Sequence, residues 1–156
     1  MKVDYYLPPG ALKAVGEQAG WAQRVGFDGL FNADTGHEPF LPIVTAAEQA
    51  PGLDYGTAIA VAFARSPMVV AQTAWDLASY TGGRFLLGLG TQIKPHIERR
   101  FSMPWGSPVR KMGEFIAALR AIWATWQHQE PLRFKGEFYA FTLMTPFFNP
   151  GPIEHP

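Results

Sequence analysis

Gly82-Gly83-Arg84-Phe85-Leu86-Leu87-Gly88-Leu89-Gly90-Thr91-Gln92 is the stretch that decides the fold. The Gly-Gly pair stops a helix, Phe85 to Leu89 forms a short strand, and Gly90 opens a loop of small residues. A strand apolar on both faces is expected to be buried on both, as in parallel sheets covered by helices. In α/β proteins, ligands bind at the carboxyl ends of the strands. There this loop offers backbone N–H groups, the Thr91 hydroxyl and the Gln92 amide. The same residues also read as a tight strand-to-helix turn that holds no ligand.

Working outward, the order βα recurs. Lys2 to Leu7 is a strand stopped by Pro8-Pro9-Gly10. Ala11 to Val25 follows as an amphipathic helix, with Leu12, Val15, Ala19 and Ala22 spaced three and four apart. Leu30 to Asp34 is the second strand, Pro39 to Ala50 a short helix closed by Pro51-Gly52, and Asp54 to Ile59 the third strand. Pro67 starts a helix that runs to about Tyr80. Beyond the fourth strand and a long loop, Met112, Phe115, Ile116, Leu119, Ile122, Trp123 and Trp126 make one apolar helical face, a core stripe expected to pack on a sheet. Leu132 to Thr142 reads as a β-hairpin centred on Lys135-Gly136, and Pro146 to Pro156 as an irregular tail. Alternating units of this kind imply a parallel sheet with helices outside it. A doubly wound sheet and a barrel satisfy the pattern equally.

Composition narrows the function classes. Thirteen basic and 13 acidic side chains give a formal charge of zero, so nothing favours nucleic acid or an anionic membrane. No run of about 18 apolar residues suggests a membrane span, and no charged segment followed by an apolar core suggests a secretory signal. The absence of cysteine removes disulfides and thiol chemistry and is compatible with a cytoplasmic protein. The 156 residues are enough for one complete domain.

Gly83-Arg84-Phe85 followed by Leu87-Gly88-Leu89-Gly90 resembles the fourth strand of the luciferase-like superfamily of TIM barrels. The run from Thr91 through Lys94-Pro95-His96-Ile97-Glu98-Arg99-Arg100-Phe101 to Met103-Pro104-Trp105 is similar to a narrower group, the deazaflavin-dependent oxidoreductases. The resemblance covers essentially the whole chain, and it selects the barrel. It implies hydride transfer between the deazaflavin coenzyme F-420 and a small organic substrate, with FMN and a luciferase-like monooxygenase activity as the alternative. A barrel has eight units and about 250 residues, whereas four units plus a hairpin are visible here. The chain, residues 1–156, is therefore expected to be the N-terminal half of a single barrel domain, a half-barrel. A non-catalytic half-barrel that serves as an interaction module, or one that pairs as a homodimer, is the rival reading.

The resemblance also names site residues. Asp34, at the end of strand two, would lie close to the cofactor ring and position it or relay a proton, and the imidazole of His37, three residues on, is suited by its own chemistry to protonate substrate. Read from residues alone, Asp34 is equally an Asx turn or helix cap, and His37 a solvated loop histidine. No metal is expected, because Glu38 is merely adjacent to His37. Ala58, Ile59 and Ala60 would back the cofactor ring, through a bulge whose Ala58–Ile59 bond is cis in the superfamily. Gly90, Thr91 and Gln92 match the cofactor-contacting loop. A nicotinamide fingerprint is absent, since Ile93 stands where its third glycine belongs. The basic residues Lys94, His96, Arg99, Arg100, Arg110 and Lys111 read as a solvated loop, with a cofactor tail as the alternative, and Asp76 with Arg84 as a structural pair tying helix three to strand four.

Overall fold

The computed structural model describes all 156 residues. Its elements run β1 (Asp4–Tyr6), α1 (Leu12–Val25), β2 (Gly29–Asn32), α2 (Leu41–Gln49), β3 (Asp54–Thr57), β4 (Ala60–Val61), α3 (Pro67–Tyr80), β5 (Phe85–Leu86), β6 (Leu89–Gly90), α4 (Pro108–His128), β7 (Phe134–Lys135) and β8 (Ala140–Phe141). Short helical turns cover Ala62–Ala64, His96–Arg100 and Pro146–Phe148. By its internal contacts the chain divides into two compact units: residues 1–60 with 76–90, and residues 61–75 with 91–156.

The first unit carries the sheet. Its strands are ordered β1-β2-β3-β5, all parallel, as βα units wound to neighbouring strands require. The register places Tyr5, Leu30, Tyr55 and Phe85 in one row and Tyr6, Phe31, Gly56 and Leu86 in the next. Successive rows face opposite sides of the sheet. The first row joins the core with Val15, Ala19 and Ala22 of α1 and Ile43, Ala46 and Ala47 of α2. Tyr55 is fully buried and donates its hydroxyl to Ala50 O, and burial pushes its pKa up to about 12. Glycines end the helices as the sequence foretells. Gly26 adopts φ 93° with its N–H on the last α1 carbonyls, and Gly82 and Gly83 (φ 60° and 79°) return theirs to Ser79 and Ala78.

The fourth strand departs from expectation. It is neither continuous nor buried on both faces: β5 stops at Leu86, which is 51% exposed, and the chain resumes strand geometry only at Leu89. Two causes are visible. β5 pairs with β3 alone, so it is an edge of the sheet. At Gly88 a side chain interrupts the ladder, since the Thr57 hydroxyl accepts from Gly88 N (3.0 Å) and donates to Gly88 O (2.7 Å), the latter also accepting from Ala60 N. Apolar composition alone cannot distinguish an edge from a centre. The Asp76–Arg84 pair is likewise absent: both side chains are exposed, and Arg84 Nη1 donates to Gly52 O at 3.2 Å.

In the second unit, α4 buries Phe115, Ala118, Leu119, Ile122 and Trp126. Trp126 meets Trp75 of α3 edge-on, the Trp123 indole donates to Ala71 O (3.2 Å), and Phe115 meets Tyr139 of the hairpin. The stripe is narrower than the sequence suggests, because Ile116 faces solvent and Ala118 and Thr125 take buried positions. The hairpin turn spans Gly136 to Tyr139, closed by Gly136 N to Tyr139 O (2.8 Å). Glu114 staples it to α4, its carboxylate accepting from the backbone N–H of Glu137, Phe138 and Tyr139 at 2.9, 2.8 and 2.6 Å.

Candidate functional site

The carboxyl ends of β2 and β3 are knitted together by backbone hydrogen bonds. Ala58 N donates to Asn32 O (2.7 Å), Asp34 N to Ile59 O (2.9 Å) and Ala60 N to Gly88 O (2.8 Å). The Ala58–Ile59 peptide bond between these contacts is cis, as the superfamily pattern implies. Asp34, two residues past the end of β2, is 8% exposed. Ile59 is a large aliphatic side chain left 37% exposed at a strand end. Gly90 lies against it so closely that a Cβ there would be 2.7 Å from Ile59 Cδ1. Asp34, Ala58, Ile59, Ala60 and Gly90 thus form one construction: an exposed apolar ledge on a rigid backbone, buttressed by a glycine and bordered by a carboxyl-bearing residue. Such a ledge can receive one face of a flat aromatic ring. Filling the Gly90 gap would push Ile59 out of place.

His37 lies elsewhere in the same unit. It lines a cavity of about 200 Å³ with Leu7, Pro8, Val15, Asn32 and Leu41, at the carboxyl ends of β1 and β2. Asp34 itself is not among the residues that line this cavity, whereas its neighbours Ala33 and Thr35 are. Two residues there escaped sequence reasoning. Glu38 caps α2, its Oε2 accepting from the N–H of Phe40 (2.7 Å) and Leu41 (3.0 Å). Asn32 is buried, gives its Nδ2 to Pro39 O (2.9 Å) and keeps an Oδ1 with no protein donor. A polar residue closing an otherwise apolar strand was the only available signal for it.

Thr91 and Gln92 belong to the second unit and hold their own turn. Thr91 Oγ1 donates to Gln92 O (2.9 Å), Gln92 Oε1 accepts from Ile93 N (3.0 Å), and Gln92 takes φ 58°. The basic loop is partly neutralised locally, by Lys94 with Glu98 (3.9 Å) and Arg110 with Glu137. No three His, Cys, Asp or Glu side chains gather as a metal site, and no helix is long and apolar enough to cross a membrane.

The model of the luciferase-like monooxygenase family matches residues 2–156. The chain belongs to that family. An uncharacterized protein of Mycobacterium tuberculosis is 55% identical over 156 residues, covering 100% of this chain and 46% of its own. A putative coenzyme F420-dependent oxidoreductase of the same organism is 28% identical over 123 residues, covering 78% of this chain and 35% of that protein. The chain therefore spans about half, or less, of the length of the curated relatives it matches. Among solved structures, an F420-dependent secondary alcohol dehydrogenase aligns with a TM-score of 0.77 at 24% identity, over 99% of this chain and 50% of that one. The parallel α/β fold is thus that of luciferase-like TIM-barrel proteins.

Proposed function

We propose that the chain is the first four βα units of a barrel oxidoreductase that exchanges a hydride between a deazaflavin and a small organic substrate. The observation that carries this reading is the Ile59 ledge: an exposed aliphatic surface on fixed backbone, with Gly90 beneath it and Asp34 at its border. Its shape suits a planar tricyclic ring, and the named F420-dependent relative supports a deazaflavin there. Bound on the ledge, that cofactor supplies the two-electron chemistry. Ala58 and Ile59 hold one face of the ring, with Ala60 buried behind them, and Gly90 leaves Ile59 room to lie flat against it. Asp34, anchored through its N–H to Ile59 O, holds a carboxyl group beside the ring edge to take or give the substrate proton. His37, on the cavity after β1 and β2, is the second proton carrier, facing the substrate. The open wall of such a site would come from the other strands of the barrel.

The family description favours one other reading, an FMN-dependent monooxygenase on the same ledge. Titration decides between them. The purified chain is mixed with deazaflavin or with FMN, each oxidised and reduced, and binding is followed by cofactor fluorescence. Deazaflavin binding that Ile59→Glu weakens at least tenfold supports the proposal. Preference for FMN transfers the reading to the monooxygenase. Failure of both to bind at millimolar concentration, by this chain and by a protein that carries the remaining barrel strands as well, defeats the ledge and favours a non-catalytic interaction module.

A further inference from the structure

We propose a second binding site, for a small aromatic monocarboxylate, in the cavity around Lys111 of the second unit. The cavity has a volume of about 280 Å³ and is walled by the rings of Phe63, Trp105, Phe138 and Tyr139, with Arg65 and Ser66 among its polar members. It is independent of the Ile59 ledge and uses none of its residues.

Lys111 is the unusual group. It lies in the first turn of α4 yet is only 7% exposed. Lysine is almost never so deeply buried unless it is paired. Its Nζ donates to one backbone carbonyl, Pro104 O, at 2.9 Å, and stands 4.6 Å from the centre of the Phe63 ring. These contacts use one of three ammonium protons and partly offset the desolvation. Neither carries a negative charge. The nearest acidic residue along the helix, Glu114, is committed to the hairpin through three backbone N–H groups. Burial accordingly pushes the Lys111 pKa down.

The other charged or titratable groups that line the cavity add no negative charge. Arg65 lines the cavity with its Nη1 donating to Val61 O at 3.0 Å. Tyr139 stays neutral, its pKa raised to about 12 by burial and then by Glu114. Ser66 accepts from Met68 N (3.3 Å) at the start of α3, whose N-terminus adds positive potential. No carboxylate lines the cavity. A cavity with a buried lysine ammonium, no carboxylate in its lining and four aromatic walls matches an anionic head on an aromatic body. Two remaining Lys111 donors suit two carboxylate oxygens. A phosphate dianion would need more donors than remain and would leave the rings facing a wet ion.

Isothermal titration of the full chain with benzoate tests this, with benzamide and inorganic phosphate as the comparison ligands. Benzoate should bind in the micromolar to low-millimolar range, and benzamide at least tenfold more weakly. Lys111→Met should weaken benzoate at least tenfold, whereas Lys111→Arg should keep it within about threefold. Equal binding of benzoate and benzamide, tighter binding of phosphate, undiminished binding by a folded Lys111→Met chain, or no benzoate binding at 10 mM each overturns the proposal. Should Lys111→Met fail to fold by circular dichroism, the benzamide comparison on the native chain and the Lys111→Arg chain decide it alone.

Discussion

Gly88→Ala tests the account of how the sheet ends. A Cβ built on Gly88 falls 1.9 Å from Thr57 O and 3.1 Å from Thr57 C, both backbone atoms that cannot rotate away. Real Cβ atoms essentially never approach below 3.0 Å, so the two segments must separate by more than an ångström. That separation removes the hydrogen bonds that hold the site: Gly88 N to Thr57 Oγ1, Thr57 Oγ1 to Gly88 O, and Ala60 N to Gly88 O. At about 1 kcal/mol each these contribute about 3 kcal/mol. Overpacking strain adds about 1–3 kcal/mol, for a total cost of roughly 4–6 kcal/mol. Domains of this size are stable by about 5–15 kcal/mol, so the substitution should remove between roughly a quarter of that stability and all of it. Urea denaturation followed by circular dichroism reads the loss directly. Gly36→Ala is the companion, since nothing lies within 4 Å of its added Cβ, and it should change stability by less than about 0.5 kcal/mol. A Gly88→Ala chain within about 1 kcal/mol of the native one would refute the reasoning, because the Thr57–Gly88 clamp could then not be what breaks the fourth strand.

Three further outcomes are expected. Gly113→Ala, inside α4 with open space around the added methyl, should stabilise the chain by about 0.5–1 kcal/mol in the same denaturation assay. Glu114→Ala removes three charge-assisted hydrogen bonds and should cost about 2–4 kcal/mol, with amide exchange accelerating first at residues 137–139. Tyr55 and Tyr139 have folded pKa values near 12, above the ordinary tyrosine value of about 10. Over that interval the unfolded chain binds fewer protons than the folded one, so stability should be fully present below about pH 10 and fall as pH rises toward 12. Absorbance at the tyrosinate band should show these two side chains ionising late or together with unfolding.

Much of this was legible because it is local. The three-and-four spacing of Val15, Ala19 and Ala22 fixes the buried face of α1 without reference to any partner. Gly26 and the Gly82-Gly83 pair mark helix ends by backbone conformation, and the regular βα alternation forces neighbouring parallel strands. The strand-end glycine at Gly90 and the Ala58–Ile59 bond were legible only through family likeness, because neither spacing nor propensity distinguishes them from a core strand. What stayed hidden depends on distant residues. Exposure of Leu86 follows from the uncovered sheet face on which its row lies, which no local pattern reveals. Lys111 reads in sequence as one more loop cation, and only the arrangement of Phe63, Trp105 and Pro104 around it makes it a buried charge. Glu38 and Glu114 look like surface acids until their backbone partners are known.

The two sides of the sheet carry the strongest argument for the architecture. On one row, Leu30 and Tyr55 are wholly buried against α1 and α2, so that face is finished. On the adjacent row, Tyr6 and Leu86 are each about half exposed, and Phe31 lies across Gly56, where a Cβ would fall 2.3 Å from its ring. A solvated sheet face normally alternates to polar residues. This one holds tyrosine, phenylalanine, glycine and leucine in register, which is the composition of an interior. Gly56 in particular serves no turn, and its value lies in letting Phe31 cover the strand. A doubly wound sheet would cover that face with helices, whereas a barrel covers it with its own opposite strands. The open apolar row, with α1 and α2 packed on the other face, is what the barrel reading requires, and under that reading the proposed Ile59 ledge would form one wall of the site.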